Sequence, residues 1–284
     1  LVLSPNLSLS AKEIENFRPR KLESVVRLSS NENPYGPSKK VLNRIKDSFK
    51  YGCRYPGSFS DELADILAKK HGVDPESIII TGGSREGLKI TALTYTNHGD
   101  EIIAGYPTYL TMMKYAEHRG ASINWVPVDE NKSYDLDEIE KRISAKTKLV
   151  FLCNPNNPTG TIVRAKKLID FCDVASKKAT VFSDEAYYDY IETPNYPSMI
   201  GAVKRGENVV VSKTFSKVYG MAGFRIGYFI SKPELVAQIR KNIVAMSNVL
   251  AVEAAKEALQ DDAFYRFSLA KNKEAKKNIY TLLD

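Results

Sequence analysis

The stretch ENVVVSKTFSKVYGMAGFRIGY (207–228) joins a buried strand to candidate binding residues. It opens with the β-branched run ENVVVSK (207–213), whose length and continuous apolar core are typical of a strand buried on both faces. Lys217 follows directly, among small and hydroxyl residues, and Arg225 lies eight positions further on. The stretch therefore predicts a lysine and an arginine at the carboxyl end of a strand, where α/β proteins place their ligands.

The same strand pattern occurs four times upstream, each time followed by turn residues and a helical pattern. The strand candidates are SIIIT (77–81), DEIIAG (100–105), TKLVFLC (147–153) and ATVFSDE (179–185). The helix candidates are residues 60–71, 84–96, 108–119, 135–144 and 164–178. Asp135 and Asp137 are placed to cap the fourth helix and supply its acidic first turn. This alternation predicts an α/β fold with a mainly parallel sheet.

Two regions depart from the alternation. Residues 1–49 are rich in loop formers around SSNENPYGPS, and strands cease after about residue 233, where residues 234–260 predict a long helix. We expect an N-terminal arm and small-domain segment at 1–49 and a large domain at 50–245. An interdomain helix and the start of a C-terminal small domain should occupy 246–284. Because a charged helical pattern runs up to Asp284, we expect this small domain to be incomplete.

Composition narrows the class of protein. The chain has 284 residues, 43% hydrophobic and 26% charged, which is typical of a soluble globular protein. It has no apolar run of the ~18–20 residues that a membrane span needs, and no visible signal peptide. The net charge of +7 is scattered, which argues against a nucleic-acid surface and favours a small anion.

Cysteine and histidine usage predicts a reducing compartment and no metal site. The three cysteines are odd in number and far apart, which argues against a disulfide framework and favours a cytoplasmic location. The three histidines show no metal-ligand spacing. These six residues are Cys53, Cys153, Cys172, His71, His98 and His118.

Lys217 is the strongest candidate for chemistry. A lysine that forms a Schiff base must lose its proton near neutral pH, which burial or nearby positive charge brings about. Thr214 and Ser216 offer hydroxyl groups, and the planar guanidinium of Arg225 suits a phosphate. Taken alone, the composition around Lys217 favours a solvated surface lysine after a strand.

Three further segments carry candidate ligands. In VFSDEAYYDY (181–190), Asp184 ends an apolar strand and could keep a pyridinium nitrogen protonated, with Tyr187 nearby; the alternative is a helix-capping aspartate. In FLCNPNNPTG (151–160), a rigid turn could hold Asn157 beside a ring oxygen, or be only a turn. In GYPTYL (105–110), Tyr109 could stack on a flat ligand or belong to the core.

A glycine turn offers an anion site. ITGGSREGLK (80–89) joins a strand to a helix, so the backbone N–H groups of Ser84 and Arg85 would face a phosphate at the helix N-terminus. The Gly-Lys-Ser/Thr ending of a Walker loop is absent. Without other features, this turn could simply connect two elements.

In this order and spacing, the segments resemble the fold-type I pyridoxal-5′-phosphate (PLP) aminotransferases of classes I and II. The likeness is greatest to the histidinol-phosphate aminotransferase family and covers about residues 27–245. It rests on RLSSNENPYGPS (27–38), RYP (54–56), NPNNPTG (154–160), DEAY (184–187) and TFSKVYGMAGFRIGY (214–228). The resemblance implies a three-layer large domain with a mainly parallel sheet. It also implies a smaller α/β domain built from the N-terminal segment and the C-terminal part.

The resemblance also implies roles in catalysis. Lys217 would carry PLP as a Schiff base and move protons, and Asp184 would pair with the pyridine nitrogen. Asn157 and Tyr187 would contact the phenolic oxygen, while Tyr109 stacks on the ring. The phosphate would be bound by the N–H groups of Ser84 and Arg85 and by Thr214, Ser216 and Arg225. Tyr55 would reach the phosphate of a neighbouring subunit, which implies a homodimer with shared active sites.

The sequence departs from the family pattern in two ways, and several activities are compatible with it. Arg85 stands where related sequences often carry an acidic residue, and the arginine expected for the substrate carboxylate would lie beyond residue 284. The resemblance implies amino transfer between histidinol phosphate and 2-oxoglutarate. Alternatives are aminotransfer from aromatic or other amino acids, decarboxylation of a phosphorylated amino acid, or a regulatory protein that binds PLP only as a ligand.

Overall fold

The computed structural model describes residues 28–283 and contains one seven-stranded sheet flanked by helices. The strands are β1 (Ile78–Thr81), β2 (Glu101–Tyr106), β3 (Ser122–Pro127), β4 (Thr147–Cys153), β5 (Thr180–Asp184), β6 (Val209–Thr214) and β7 (Gly227–Ile230). The first helices are α1 (Lys39–Ser48), α2 (Gly57–His71), α3 (Ser84–Tyr95), α4 (Thr111–His118) and α5 (Leu136–Arg142). The remaining helices are α6 (Ala165–Ala175), α7 (Ile200–Lys204), α8 (Pro233–Arg240), α9 (Val249–Ala258) and α10 (Asp262–Leu283).

The sheet has the order β1-β7-β6-β5-β4-β2-β3, and β7 alone runs antiparallel to its neighbours. This confirms the predicted α/β class with a mainly parallel sheet. The registers of β4, β5 and β6 align Cys153 with Asp184 and Asp184 with Ser212. The carboxyl ends of these strands therefore lie side by side, so the residues that follow them share one edge of the sheet.

Helices cover both faces of the sheet. Along β4, Val150 and Leu152 pack into the hydrophobic cluster that includes α2 and α6, whereas Leu149 and Phe151 pack into the cluster that includes α3, α4 and α8. Since successive side chains of a strand point to opposite faces, β4 contributes to both clusters. This is the predicted three-layer arrangement, with a core on each side of the sheet.

All five predicted strands form, but two further strands were missed. β3 is an edge strand whose Ser122 and Asn124 break the apolar pattern, and it is only partly buried. β7 has four residues and follows directly on a glycine-containing loop, so its apolar run is too short to stand out. Periodicity is a weak signal for both kinds of strand.

The C-terminal prediction was partly wrong. The long helix predicted at 234–260 is two helices, α8 and α9, separated by a break after which Asn248 caps α9 by accepting a hydrogen bond from the amide of Ala251 at 2.8 Å. The long helix is α10, further along the chain. Asparagine favours the start of a helix at this position because its side chain satisfies an otherwise open amide.

The proposed domain boundaries stay predictions. Residues 1–27 of the predicted N-terminal segment lie outside the described residues. The rest of that segment contains α1, which packs on α9, so the two ends of the described chain are in contact.

The predicted capping of α5 is confirmed, because the Asp135 carboxylate accepts from the Glu138 amide at 3.0 Å and Asp137 lies in the first turn.

Within residues 28–283, none of the helices combines the length and apolar character needed to cross a bilayer. The same part of the chain has no group of three or more histidine, cysteine or acidic side chains arranged to hold a metal ion.

Gly87 provides a test of the packing between α3 and the sheet. A Cβ atom at this position would lie 2.1 Å from Cζ of Phe229, a fully buried ring of β7. We expect Gly87→Ala to lower the free energy of unfolding by about 1–3 kcal/mol, because a well-packed core does not absorb an added methyl group. The midpoint of urea unfolding measures this change.

Gly201→Ala in α7 is the matched control. Its nearest neighbour would be Nη1 of Arg205 at 3.7 Å, an ordinary contact, and alanine favours helix more than glycine does. This variant should be neutral or slightly stabilising. Equal unfolding midpoints for the two variants would contradict the packing described for Gly87.

Candidate active site

A cavity of about 610 Å³ opens at the carboxyl edge of the sheet. It is lined by Ser30, Asn31, Glu32, Ser84, Arg85, Tyr109, Cys153, Asn157, Asp184, Ala186, Tyr187, Ser216, Lys217, Ala222 and Arg225. Nine of the eleven predicted site residues belong to this lining, although they come from six separate parts of the sequence. Thr214 and Tyr55 are the two that do not.

Lys217 reaches the cavity from the loop after β6. The buried side chain of Phe215 anchors that loop. The Nζ of Lys217 donates hydrogen bonds to the backbone carbonyls of Ser30 and Asn31, at 3.0 and 3.1 Å. Partial burial lowers the pKa of Lys217, Asp184 and Glu32 oppose that change, and Arg225 adds to it. Lys217 is therefore a half-buried amine with a reduced affinity for its proton, as the sequence predicted for a Schiff-base lysine.

Asp184 ends β5 and is 3% exposed. Its carboxylate accepts a hydrogen bond from the Ala186 amide at 3.2 Å, and it forms no salt bridge with another residue of the described chain. Burial raises the pKa of Asp184 from its ordinary value of 3.8 to about 7; the nearby charge of Glu185 adds to this, while the amide and Lys217 oppose it. A buried carboxylate with so few partners is suited to a cationic group in the cavity.

Asn157 and Tyr187 lie together at the cavity wall. The Tyr187 hydroxyl accepts hydrogen bonds from Nδ2 of Asn31 at 3.1 Å and of Asn157 at 3.5 Å. Asn157 is fixed by its neighbour Asn156, whose buried side chain accepts from the hydroxyls of Thr108 and Tyr134 at 2.9 and 2.8 Å. The rigid turn predicted from NPNNPTG thus depends on buried side-chain hydrogen bonds as well as on proline.

The opposite side of the cavity is suited to an anion. α3 starts at Ser84, and Gly83 precedes it with φ 84° and no side-chain cap, so within the described chain the amides of Ser84 and Arg85 stay open, whereas those of Glu86 and Gly87 bond the Gly83 carbonyl. The Arg225 guanidinium lies so close to Gly83 that an added Cβ would be 2.4 Å from Nη2. Nη1 of Arg225 is 3.5 Å from the Ser216 hydroxyl. Helix amides, a guanidinium and a hydroxyl together are typical of a phosphate site.

Two predicted ligands lie outside the cavity lining. Thr214 is buried beneath it, where its hydroxyl donates to Ser216 Oγ at 3.0 Å and accepts from the Ser216 amide at 3.1 Å. It therefore supports Ser216. Tyr55 is 91% exposed and does not line the cavity of its own chain. Tyr109 lines the cavity and is half-buried, with its ring available to a ligand.

Ser30 and Asn31, which were not predicted as site residues, contact Lys217 and Tyr187. Both adopt left-handed backbone conformations, with φ of 71° and 49°. The neighbouring Asn33 anchors their loop, because its Nδ2 donates to the Val218 carbonyl and to Ser268 Oγ, each at 3.0 Å. The signal that could have identified them is the asparagine-rich SSNENPYG segment, since asparagine tolerates left-handed conformations.

The aminotransferase class I and II family model matches residues 23–284. The chain belongs to this family. It is 38% identical to a histidinol-phosphate aminotransferase of Moorella thermoacetica, over 99% of this chain and 73% of that protein. It is 34% identical to histidinol-phosphate aminotransferase 1 of Bacillus cereus, over 95% of this chain and 73% of that protein. These findings confirm the predicted family and an aminotransferase activity.

A solved structure confirms the fold. The histidinol-phosphate aminotransferase of Sinorhizobium meliloti, in complex with pyridoxal 5′-phosphate, superposes with a TM-score of 0.84 at 26% identity, over 97% of this chain and 74% of that chain. PLP is the cofactor predicted from the sequence, and the residues of the cavity fit it. Asp184 is a buried carboxylate suited to the ring nitrogen, and the start of α3 with Arg225 is suited to the phosphate.

The raised pKa of Asp184 predicts a pH-dependent stability of the cofactor-free protein. Because the folded protein holds this proton more tightly than the unfolded chain does, ionisation of Asp184 destabilises the fold as pH rises from about 4 to about 7. Asp184→Asn removes this loss and keeps the shape of the side chain. The difference between the free energies of unfolding of Asp184→Asn and of the unsubstituted protein should therefore increase by about 2–4 kcal/mol over that pH range and then level off.

Urea titrations of both proteins at several pH values measure the difference, and the other titrating groups cancel between them. A difference that stays constant from pH 4 to pH 8 would mean that Asp184 titrates normally and is not buried as described.

Proposed function

We propose that the chain catalyses PLP-dependent amino transfer between histidinol phosphate and 2-oxoglutarate, with Lys217 as the catalytic amine. The observation that carries this proposal is the convergence of Lys217, Asp184 and the phosphate-type site of Arg225 and α3 on one cavity of about 610 Å³. A solvated lysine, a helix-capping aspartate and a simple glycine turn would have no reason to line the same cavity.

Bound PLP supplies an electron sink for the bonds at the substrate Cα. Lys217 would hold the cofactor covalently at rest. Once the substrate amine has displaced it, the free lysine amine would move a proton to and from the substrate Cα, which its lowered pKa favours. Asp184 would keep the ring nitrogen protonated, because a cation beside it relieves the cost of its buried charge. Asn157 and Tyr187 would donate hydrogen bonds to the phenolic oxygen, and Tyr109 would stack on the ring and exclude water.

Phosphate binding falls to the other side of the cavity. The amides of Ser84 and Arg85, the Ser216 hydroxyl and the Arg225 guanidinium bind it, and Thr214 orients Ser216 from beneath. The side chain of Arg85 also lines the cavity, so it adds positive charge where related sequences often carry an acidic residue. A strongly anionic substrate is compatible with this environment.

Histidinol phosphate is the substrate that the named relatives favour. The basic character of the chain supports an anionic amino donor, although it does not distinguish one such donor from another. Aromatic or other amino acids, and decarboxylation of a phosphorylated amino acid, are the alternatives that product analysis separates. We also infer a cytoplasmic location, which the three free cysteines support.

We further propose a homodimer in which Tyr55 of each subunit contacts the phosphate bound by the other. The support is its exposure: the ring is 91% exposed and does not line the cavity of its own chain. The ring is therefore available to contact a neighbouring subunit. No nucleic acid or membrane takes part in this proposal.

Lys217→Ala tests the catalytic amine. Loss of covalent cofactor attachment and of the proton carrier should reduce kcat by at least about 10³-fold, while the protein remains folded and still binds PLP non-covalently. Lys146→Ala is the control, since this exposed lysine lies far from the cavity and should retain full activity. The assay follows loss of the cofactor's absorbance with histidinol phosphate and its return with 2-oxoglutarate.

The same assay, run with a panel of amino donors, tests the substrate. Histidinol phosphate should give the highest kcat/KM, and aromatic amino acids lower values. Appreciable transamination by Lys217→Ala would overturn the role of the lysine. Release of carbon dioxide without a need for 2-oxoglutarate would favour the decarboxylase instead.

Mixing two variants, one with weakened cofactor binding and one without catalysis, tests the shared active site. Tyr55→Ala should raise the apparent Kd for PLP about tenfold or more, and Lys217→Ala should lack catalysis. A mixed dimer of the two contains one site with both defects and one intact site. Unfolding and refolding the variants together should therefore restore up to about one quarter of wild-type activity at limiting PLP. No recovery, with dimers verified by light scattering, would place Tyr55 outside the neighbouring site.

A further inference from the structure

Two consecutive acidic residues at the end of β5 lie on opposite sides of the sheet. Asp184 lines the cavity, whereas the next residue, Glu185, does not line it and is only 2% exposed. Because successive side chains of an extended segment point in opposite directions, the cavity and Glu185 lie on opposite sides of the strand end. The proposed mechanism uses Asp184 and leaves Glu185 without a role.

Glu185 is fully paired, unlike its neighbour. Its Oε2 lies 2.8 Å from Nζ of Lys213 and accepts a hydrogen bond from the Ser198 hydroxyl at 2.7 Å. Its Oε1 accepts from the Met199 amide, also at 2.7 Å. Lys213 is 9% exposed, and its Nζ lies 3.8 Å from the centre of the Tyr188 ring. Both charges are therefore buried, paired and held in one geometry.

Stability alone is a poor reason for such a pair. Removing two charges from water costs free energy that their mutual attraction often does no more than offset, and apolar residues of similar size are frequently as stable. A buried ion pair does, however, require one particular arrangement of the segments that carry it.

The Glu185–Lys213 pair connects the two strands that supply the catalytic residues. Glu185 directly follows Asp184 at the end of β5, and Lys213 lies in β6, four residues before Lys217. The backbone of the same region is joined by a hydrogen bond from the Glu185 amide to the Ser212 carbonyl at 3.0 Å. Other titratable groups that interact with the pair are His71, Cys172, Tyr188, Tyr196 and Tyr228.

We propose that the Glu185–Lys213 ion pair is a positioning pair, which fixes the ends of β5 and β6 so that Asp184 and Lys217 face the cofactor together. This rests on the function proposed above. Without the Lys213 charge, Glu185 would be a buried carboxylate lacking its cation, directly beside Asp184. The strand end would then rearrange to hydrate Glu185, and Asp184 would move away from the ring nitrogen.

Three variants test the pair in the full protein: Lys213→Met, Lys213→Arg and Lys256→Met. Methionine keeps the length of the side chain and removes its charge, and arginine keeps the charge. Lys256 is the control, because it is 10% exposed and forms ion pairs with Glu253 on α9 and Glu62 on α2, and none of these three residues lines the cavity. The readouts are the Kd for PLP of the cofactor-free protein by absorbance titration, kcat and KM, and the thermal midpoint.

At a temperature where circular dichroism shows every variant folded, Lys213→Met should raise the Kd for PLP and lower kcat, each about tenfold or more. KM for the amino donor should change less than about threefold, and Lys213→Arg should recover most of the loss. Lys256→Met should lower the thermal midpoint but leave Kd and kcat within about twofold.

If Lys213→Met folds and behaves like Lys256→Met, the pair serves stability only and the proposal is wrong. If Lys213→Met does not fold, the double variant Lys213→Met/Glu185→Met takes its place, because it removes both buried charges together with the contacts of Glu185 with Lys213, Ser198 and Met199 that fix the strand end. The same increase in Kd would support the proposal, and a wild-type Kd would overturn it. Failure of the proposed function is distinct, because the unsubstituted protein would then neither bind PLP nor transaminate.

Discussion

The site depends on one constraint: a carboxylate is buried at the end of a central strand, where water cannot solvate it. Asp184 is 3% exposed, and among residues 28–283 its carboxylate accepts one hydrogen bond, from the Ala186 amide, so burial moves its pKa to about 7. An ionised carboxylate in such a place is stable only beside a cation. The parallel sheet creates this place, because it brings the carboxyl ends of β4, β5 and β6 to one edge and covers both faces with helices.

The two buried acidic residues at the end of β5 differ in how their negative charge is compensated. Glu185 is as buried as Asp184 but has a lysine, a hydroxyl and an amide, so its charge is compensated within the protein. Asp184 lacks these partners on its side and faces the cavity. The number of partners that a buried carboxylate has therefore distinguishes a structural acid from a ligand-binding acid better than its burial does, since both carboxylates are almost completely inaccessible.

Much of this arrangement could be predicted from the sequence, because strands buried on both faces are continuous apolar runs and their ends carry the chemistry. Lys217 and Asn157 follow such a run closely, Asp184 ends one, and Arg225 lies further along the loop after β6; all four line the same cavity. The short strand β7 and the edge strand β3 could not be found by periodicity. The contacts of Ser30 and Asn31 with Lys217 span more than 185 residues of sequence, and no local pattern encodes them. The break between α8 and α9 was hidden because the apolar pattern continues through it.

Groups that favour negative charge and groups that favour positive charge lie at different ends of the cavity, and this separation explains why PLP fits. At one end, the open amides of α3, Arg225 and Arg85 favour negative charge. At the other, Asp184 favours positive charge. Groups at both ends change the pKa of Lys217: burial and Arg225 lower it, while Asp184 and Glu32 raise it. A ligand with an anionic phosphate and a protonated ring nitrogen satisfies both ends at once, and it leaves the lysine between them with a proton that is easily lost. A neutral ligand, or one with charge at a single end, would leave Asp184 or the helix amides without a partner. The polarity of the cavity, more than its volume, therefore selects its cofactor.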